Sequence, residues 1–344
     1  MTRYALLVAS IVSLHFAERG YSQAPSPPPP SIASLGTCRL MSGAIIQNCQ
    51  IAYRTFGRLN AARSNAVLIP TWLLGRSEDW IPLLGATALV DTTRLFTILV
   101  DAFGNGRSSS PSNTDPSARA AFNDLTIADM VEAQRRFVVE HLKLPHLHAV
   151  VGISMGGMQA FEWAVRYPTF MDVVIPIAGS PQLGAFDQTL WTTLLSEIDN
   201  GRARGVPADT IWMQIARVGE LFLRTPRGVN EAGPKSVASD IREFAATFRQ
   251  KWNLEDYASQ LRAARRHDVA ARFGGNLSRA AAQVRARMLV IYSWDDHMVT
   301  PGTAAAFAKM VRADTLSVPS TCGHVASGCE SARVNPVVRR FLAR

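Results

Sequence analysis

Much that would signal a partner is missing from this chain. Its 344 residues carry a formal net charge of +9, yet there is no block of like charge and no interleaving of basic with aromatic residues. The positive balance comes mostly from scattered arginines, which describes a mildly basic, solvated surface and speaks against nucleic-acid binding. Past the first two dozen residues no apolar run approaches the length of a membrane span. Internal repeats are absent. Cysteine is scarce: Cys38, Cys49, Cys322 and Cys329 are the only four, and their spacing matches no zinc pattern. No metal and no organic cofactor is therefore expected. What remains is an ordinary globular composition, 47% hydrophobic and 18% charged, long enough for one large α/β domain with an insertion or for two modest domains.

The N-terminus reads as a secretory signal. Arg3 precedes an apolar run from Ala5 to Ala17 that is too short to span a membrane stably. Small residues at Gly20 and Ser22, or at Ser22 and Ala24, offer cleavage sites; the first is preferred because Pro25 directly follows the second. Residues 1–22 are thus expected to be removed, and 23–35 to form a Pro-rich, extended linker, giving a periplasmic or secreted protein with no stable membrane span. The alternative is a disordered leader on a cytosolic enzyme. Four cysteines allow three pairings. Cys38 and Cys49 lie about symmetrically around the expected hairpin turn at Ser42-Gly43, while Cys322 and Cys329 bracket His324. An oxidising compartment would permit both local bridges; four reduced thiols are the other possibility.

The most informative stretch is Val150-Val151-Gly152-Ile153-Ser154-Met155-Gly156-Gly157, a buried strand running through Gly-x-Ser-x-Gly into a helix. Met158, Phe161 and Val165 fall at helical spacing before Pro168 stops the run. A serine on such a turn is strained and exposed above the sheet, so Ser154 is the expected nucleophile. A hydroxyl needs an adjacent base, and the base an orienting acid. Both follow downstream at strand ends: Trp294-Asp295-Asp296-His297 after Met288–Tyr292, and Cys322-Gly323-His324 after Thr315–Val318. His324 is the expected base and Asp296 its acid. Asp295 is poorly separated from Asp296, which is favoured by its distance to Pro301, and His297 is the weaker alternative base. The oxyanion donors are expected to be the N–H of Met155 and one from Thr71–Gly75, with Leu73 chosen and Trp72 next. His141, His146, His148 and His267 are expected to be solvated or locally hydrogen-bonded, His267 on a polar helix.

Apolar runs at 66–69, 95–100, 149–151, 173–177, 288–292 and 315–318 read as buried strands alternating with helices. One helix should start at N-cap Thr126. The fold class is accordingly α/β, a mainly parallel doubly wound sheet covered on both faces, with residues 36–57 as an antiparallel edge hairpin. Between 184 and 275 the strand rhythm gives way to helices rich in aromatics and arginine. That segment is expected to be a cap over the serine, dividing the core into 36–183 and 276–344; a side domain remote from the site is the alternative.

The run Tyr53-Arg54-Thr55-Phe56-Gly57-Arg58-Leu59-Asn60, Asn65–Leu68 and above all Ser154-Met155-Gly156-Gly157-Met158-Gln159-Ala160-Phe161-Glu162-Trp163 resemble the homoserine O-acetyltransferase branch of the α/β-hydrolases. The resemblance covers nearly the whole mature chain. It implies an α/β-hydrolase fold, a nucleophile at Ser154, an acid near Asp296, a base at His324, an oxyanion amide at Leu73 and a homodimer through the cap. Two departures stand out. Val325 occupies the position where the branch has an aspartate for the substrate ammonium, and Thr71-Trp72-Leu73-Leu74-Gly75 is bulkier than the branch's motif. Losing a carboxylate partner for a buried ammonium costs roughly 3–5 kcal/mol, so the fold is expected to carry over and homoserine is not. The expected function is an exported serine hydrolase acting on a small-molecule carboxylic ester or related acyl bond. O-acyl transfer and a non-catalytic binding protein are the rivals.

Overall fold

The computed structural model describes residues 28–344. The expected signal peptide, its cleavage point after Ser22 and the first part of the Pro-rich stretch lie outside these residues. One sheet organises the chain: β1 (Ser31–Arg39), β2 (Ile45–Phe56), β3 (Ala66–Pro70), β4 (Phe96–Val100), β5 (Leu147–Ile153), β6 (Met171–Ile177), β7 (Arg287–Tyr292) and β8 (Asp314–Ser317). Their spatial order is β1-β2-β4-β3-β5-β6-β7-β8. The first two strands pair antiparallel, β2 joins β4 antiparallel, and all later pairs are parallel. The strand begins at Ser31, so the last residues of the stretch read as linker belong to the sheet edge. The disulfide Cys38–Cys49 crosses this hairpin.

Each central strand is apolar throughout because both its faces are covered. Along β3, Ala66 and Leu68 join one hydrophobic core while Val67 and Ile69 join the other. The first face is covered by α1 (Ile127–Arg136), α2 (Met155–Arg166) and, beyond the cap helices, Gly302–Val311; the second by Ser331–Leu342 through Val334, Val338 and Phe341. Thr126 caps α1 as its sequence suggests: its hydroxyl accepts from Asp129 N, and the Asp129 carboxylate accepts from Thr126 N at 2.9 Å.

Between β6 and β7 the chain leaves the sheet as α3 (Ala185–Ala203), α4 (Ala208–Leu223), α5 (Pro226–Ala232), α6 (Pro234–Lys251) and α7 (Leu254–Arg265), followed by a short helix at Leu277–Ala281. Of these, α4, α6 and α7 share an aromatic centre in which Trp212 packs on Phe248 and Tyr257, both with ring centroids at 5.5 Å. The C-terminal core helices are then α8 (Gly302–Val311) and α9 (Ser331–Leu342). Among the described residues no helix is long and apolar enough to cross a membrane.

His267 departs from expectation. It lies past the end of α7, is 4% exposed, and burial pushes its imidazole down to about 3. It is a neutral interior histidine, whose neighbouring arginines gave the segment a polar look. The others behave as expected: His141 bonds Tyr53 Oη at 3.1 Å, His146 bonds Asp172 Oδ1 at 2.9 Å and His148 bonds Leu342 O at 2.8 Å.

Candidate active site

Ser154 sits between β5 and α2 with φ 56° and ψ −122°, a conformation that side chains rarely adopt and that stores strain at such turns. The flanking glycines make the turn possible. A Cβ on Gly152 would lie 2.0 Å from Gly156 O, and one on Gly156 would lie 2.6 Å from Pro70 O. Ser154 N–H donates to Ile177 O at 2.8 Å, tying the turn to β6.

The loops after β7 and β8 bring the partners in. His324 Nε2 is 2.8 Å from Ser154 Oγ, and His324 Nδ1 is 2.8 Å from Asp296 Oδ2. All three residues are buried, with Asp296 only 2% exposed. Asp296 Oδ1 accepts from the N–H of Met298 and of Val299, each at 2.9 Å, which fixes the carboxylate plane. Asp295 is exposed and takes no part in this chain of bonds, and the ring bonded to Ser154 is that of His324, not His297. The disulfide Cys322–Cys329 closes a short ring that contains His324.

Met155 opens α2, so its N–H is among the first-turn donors that no intrahelical carbonyl can satisfy. Leu73 lines the same cavity as Ser154. The next residue, Leu74, has φ 59°, and its N–H donates to Gln260 Oε1 at 2.7 Å. Gln260 belongs to α7, is fully buried, and donates in turn to Phe103 O at 2.9 Å. The cap therefore sets the conformation of the loop that carries Leu73. Gln159 steadies the other side, donating to Thr71 O and Met155 O.

The helices between β6 and β7 also hold the loops that carry His324 and Asp296. Thr225 N and Oγ1 both donate to Thr321 O, at 3.2 and 2.8 Å. The Asp187 carboxylate near the start of α3 accepts from Thr300 N and Thr300 Oγ1, both at 2.8 Å. Gln260, Gln159, Thr225 and Asp187 escaped the sequence reading because each acts on a partner far along the chain.

A cavity of about 620 Å³ opens over Ser154 and His324. Trp191, Ile215, Phe248 and Tyr257, from the helices between β6 and β7, line it. Asp79 adds a carboxyl to the wall, raised by burial and opposed by the Lys251 ammonium at 3.6 Å.

Asp101, at the end of β4, supports the loop after β3 from below. Its Oδ1 accepts from Ser77 N at 2.9 Å and from Asn105 Nδ2 at 2.8 Å. Burial pushes its carboxyl up to about 6. The folded state thus holds this proton more tightly than the unfolded chain, whose aspartates titrate near 3.9. Its contribution to stability is full below about pH 4 and is lost as pH rises through about 6. Asp101→Asn should gain about 2–3 kcal/mol relative to the parent between pH 4 and pH 7.5. Urea denaturation at both pH values reads this directly, and a difference independent of pH would refute it.

Comparison with known proteins adds to the geometry. Residues 65–328 match the family model described as alpha/beta hydrolase fold. A probable esterase of Corynebacterium glutamicum is 31% identical over 315 residues, covering 86% of this chain and 90% of that protein. A homoserine O-succinyltransferase of Methylibium petroleiphilum is 30% identical, with coverage of 89% and 91%. Among solved structures, the acetyl esterase MekB superposes with a TM-score of 0.85 at 25% identity, over 92% of this chain and 97% of that one.

Proposed function

Since this chain belongs to the α/β-hydrolase fold family and is an enzyme of its esterase or acyltransferase kind, we propose that it is an exported serine hydrolase that cleaves carboxylic esters through Ser154, His324 and Asp296. The observation that carries this reading is the continuous hydrogen-bonded chain from Ser154 Oγ through His324 to Asp296 Oδ2. In the forward step Ser154 Oγ attacks the ester carbonyl carbon while its proton passes to His324 Nε2. The N–H groups of Met155 and Leu73 hold the developing oxyanion. The leaving alkoxide takes the proton from Nε2 as its bond to the acyl carbon breaks. Water then attacks the acyl-serine, gives its proton to the same nitrogen, and the collapse returns that proton to Ser154 Oγ. One ester and one water become one acid and one alcohol.

Two disulfides among the described residues fit an oxidising compartment, and the apolar N-terminal run offers a route there. The likeness to a homoserine O-succinyltransferase favours a second reading, transfer of the acyl group to an alcohol acceptor, which shares the first half-reaction. Incubation with p-nitrophenyl acetate, with and without homoserine, separates the two. Hydrolysis predicts nitrophenol release that Ser154→Ala abolishes, with acetate as the sole acetyl product. Acetylated homoserine would establish transfer. Release that survives Ser154→Ala would sink both.

A further inference from the structure

The cavity is far larger than an acetyl group needs, and its walls differ from end to end. At about 620 Å³ it lies in the range that buries whole drug-sized ligands. The cap side is mostly apolar and buried: Leu190, Trp191, Ile215, Phe248 and Tyr257 line it, each less than 9% exposed, and Asp79, paired with Lys251, is the carboxyl in the cavity wall. The other end reaches the surface. Pro82 and Gly328 are exposed there, and Ser331 and Asn335 are half-buried. Ser154 and His324 lie on the wall of this same cavity.

The order of bond breaking assigns the two ends. The alcohol leaves first and has to reach water while the acyl group is still bonded to Ser154 Oγ. The water-open end with its polar rim suits the departing alcohol, and the buried end suits the acyl group that stays. We infer that the enzyme's substrates are esters of extended apolar acyl groups, about six to ten carbons long or aromatic, seated in the buried arm formed by α3, α4, α6 and α7, rather than acetyl esters. This rests on the hydrolase reading and sharpens it. An acetyl group would leave the apolar side chains of that arm facing water, whereas each added methylene removes apolar surface from it. The gain per methylene is about fourfold in kcat/KM, the factor that corresponds to about 0.8 kcal/mol per buried CH₂.

The test is a series of p-nitrophenyl esters from acetate to dodecanoate, with the leaving group held constant and Ser154→Ala subtracted. The expected result is a rise of roughly a hundredfold or more in kcat/KM from acetyl to hexanoyl, then a plateau and a fall once the arm is full. A profile highest at acetate overturns the inference while leaving the hydrolase standing. Absence of Ser154-dependent release with every member overturns the hydrolase reading and the inference with it. A companion series of acetate esters with lengthening alcohols guards the orientation: if the gain appears there and not in the acyl series, the buried arm holds the alcohol and the inference fails.

Gly219 of α4 supplies a second handle. It lines the cavity, and a Cβ added there would meet only the Phe244 ring, at 3.8 Å. Gly219→Leu should therefore fold, as its thermal unfolding would report, and shorten the arm. The octanoyl-to-acetyl ratio of kcat/KM is expected to fall at least tenfold. An unchanged ratio in a folded variant shows that the acyl chain does not run past α4 and overturns the assignment.

Discussion

Asp296→Asn lowers kcat for ester hydrolysis by about four orders of magnitude while leaving the protein folded. The geometry dictates why so small a change should matter so much. Oδ1 of Asp296 is held by two backbone donors, Met298 N–H and Val299 N–H, each at 2.9 Å. An asparagine would keep its carbonyl oxygen on those donors, since its amide group cannot accept from them. Its NH₂ would then point at His324 Nδ1, where Oδ2 now lies at 2.8 Å. That nitrogen would have to accept, so the imidazole proton would move to Nε2, the atom that faces Ser154 Oγ at 2.8 Å. A protonated Nε2 cannot take the serine's proton. The measurement is kcat for Asp296→Asn beside Asp295→Asn, with thermal unfolding of each. Asp295 is exposed and outside the bonded chain, so its replacement should change kcat by less than about threefold. A kcat within tenfold of the parent for Asp296→Asn would mean that the tautomer is set by some other group.

The contrast between these neighbouring aspartates shows where sequence reasoning reached and where it stopped. Ser154 was legible because its turn is local: a buried strand, two obligatory glycines and a helix lie within one short stretch. His324 and Asp296 were legible because strand ends bring catalytic loops together whatever the rest of the chain does. Choosing Asp296 over Asp295 required only the spacing to Pro301. The two cysteine pairs were favoured by local position, and both bridges form. That the loop carrying Leu73 lies beside Ser154 was legible, but what holds it there was not. Nothing around Leu73 indicates that Leu74 takes φ 59° or that a glutamine 186 residues later holds its N–H. Thr225 and Asp187 were hidden for the same reason, since polar contacts between distant segments leave no periodic trace. His267 misled because periodicity reads the solvent side of a helix and says little about a residue in the turn after it. The edge strand from Ser31 was read as linker because neighbouring prolines outweighed the alternation of buried Ala33 and Leu35 with exposed neighbours.

Gly152→Ala is expected to be the most destabilising single-methyl change in the enzyme, with a loss above about 4 kcal/mol and most of the protein recovered insoluble. The added Cβ would lie 2.0 Å from Gly156 O, 2.2 Å from Gly156 C and 2.8 Å from Gly157 N, all backbone atoms. Rotamer changes cannot relieve such a clash, so β5 and α2 would have to separate. The far side of α2 blocks that movement. A Cβ position on Gly156 is already 2.6 Å from Pro70 O, and one on Gly157 is 3.0 Å from Ile177 O, so the helix start is wedged between β3 and β6. Gly302→Ala is the matched control, because nothing lies within 4 Å of its added methyl and an alanine favours the first turn of α8. Chemical denaturation of the two variants should bracket the parent, with Gly302→Ala at or slightly above it. A Gly152→Ala protein within 1 kcal/mol of the parent would mean that strand and helix can part at this turn. Ser154 would then owe its φ of 56° to something other than the close passage of the two backbones beneath it.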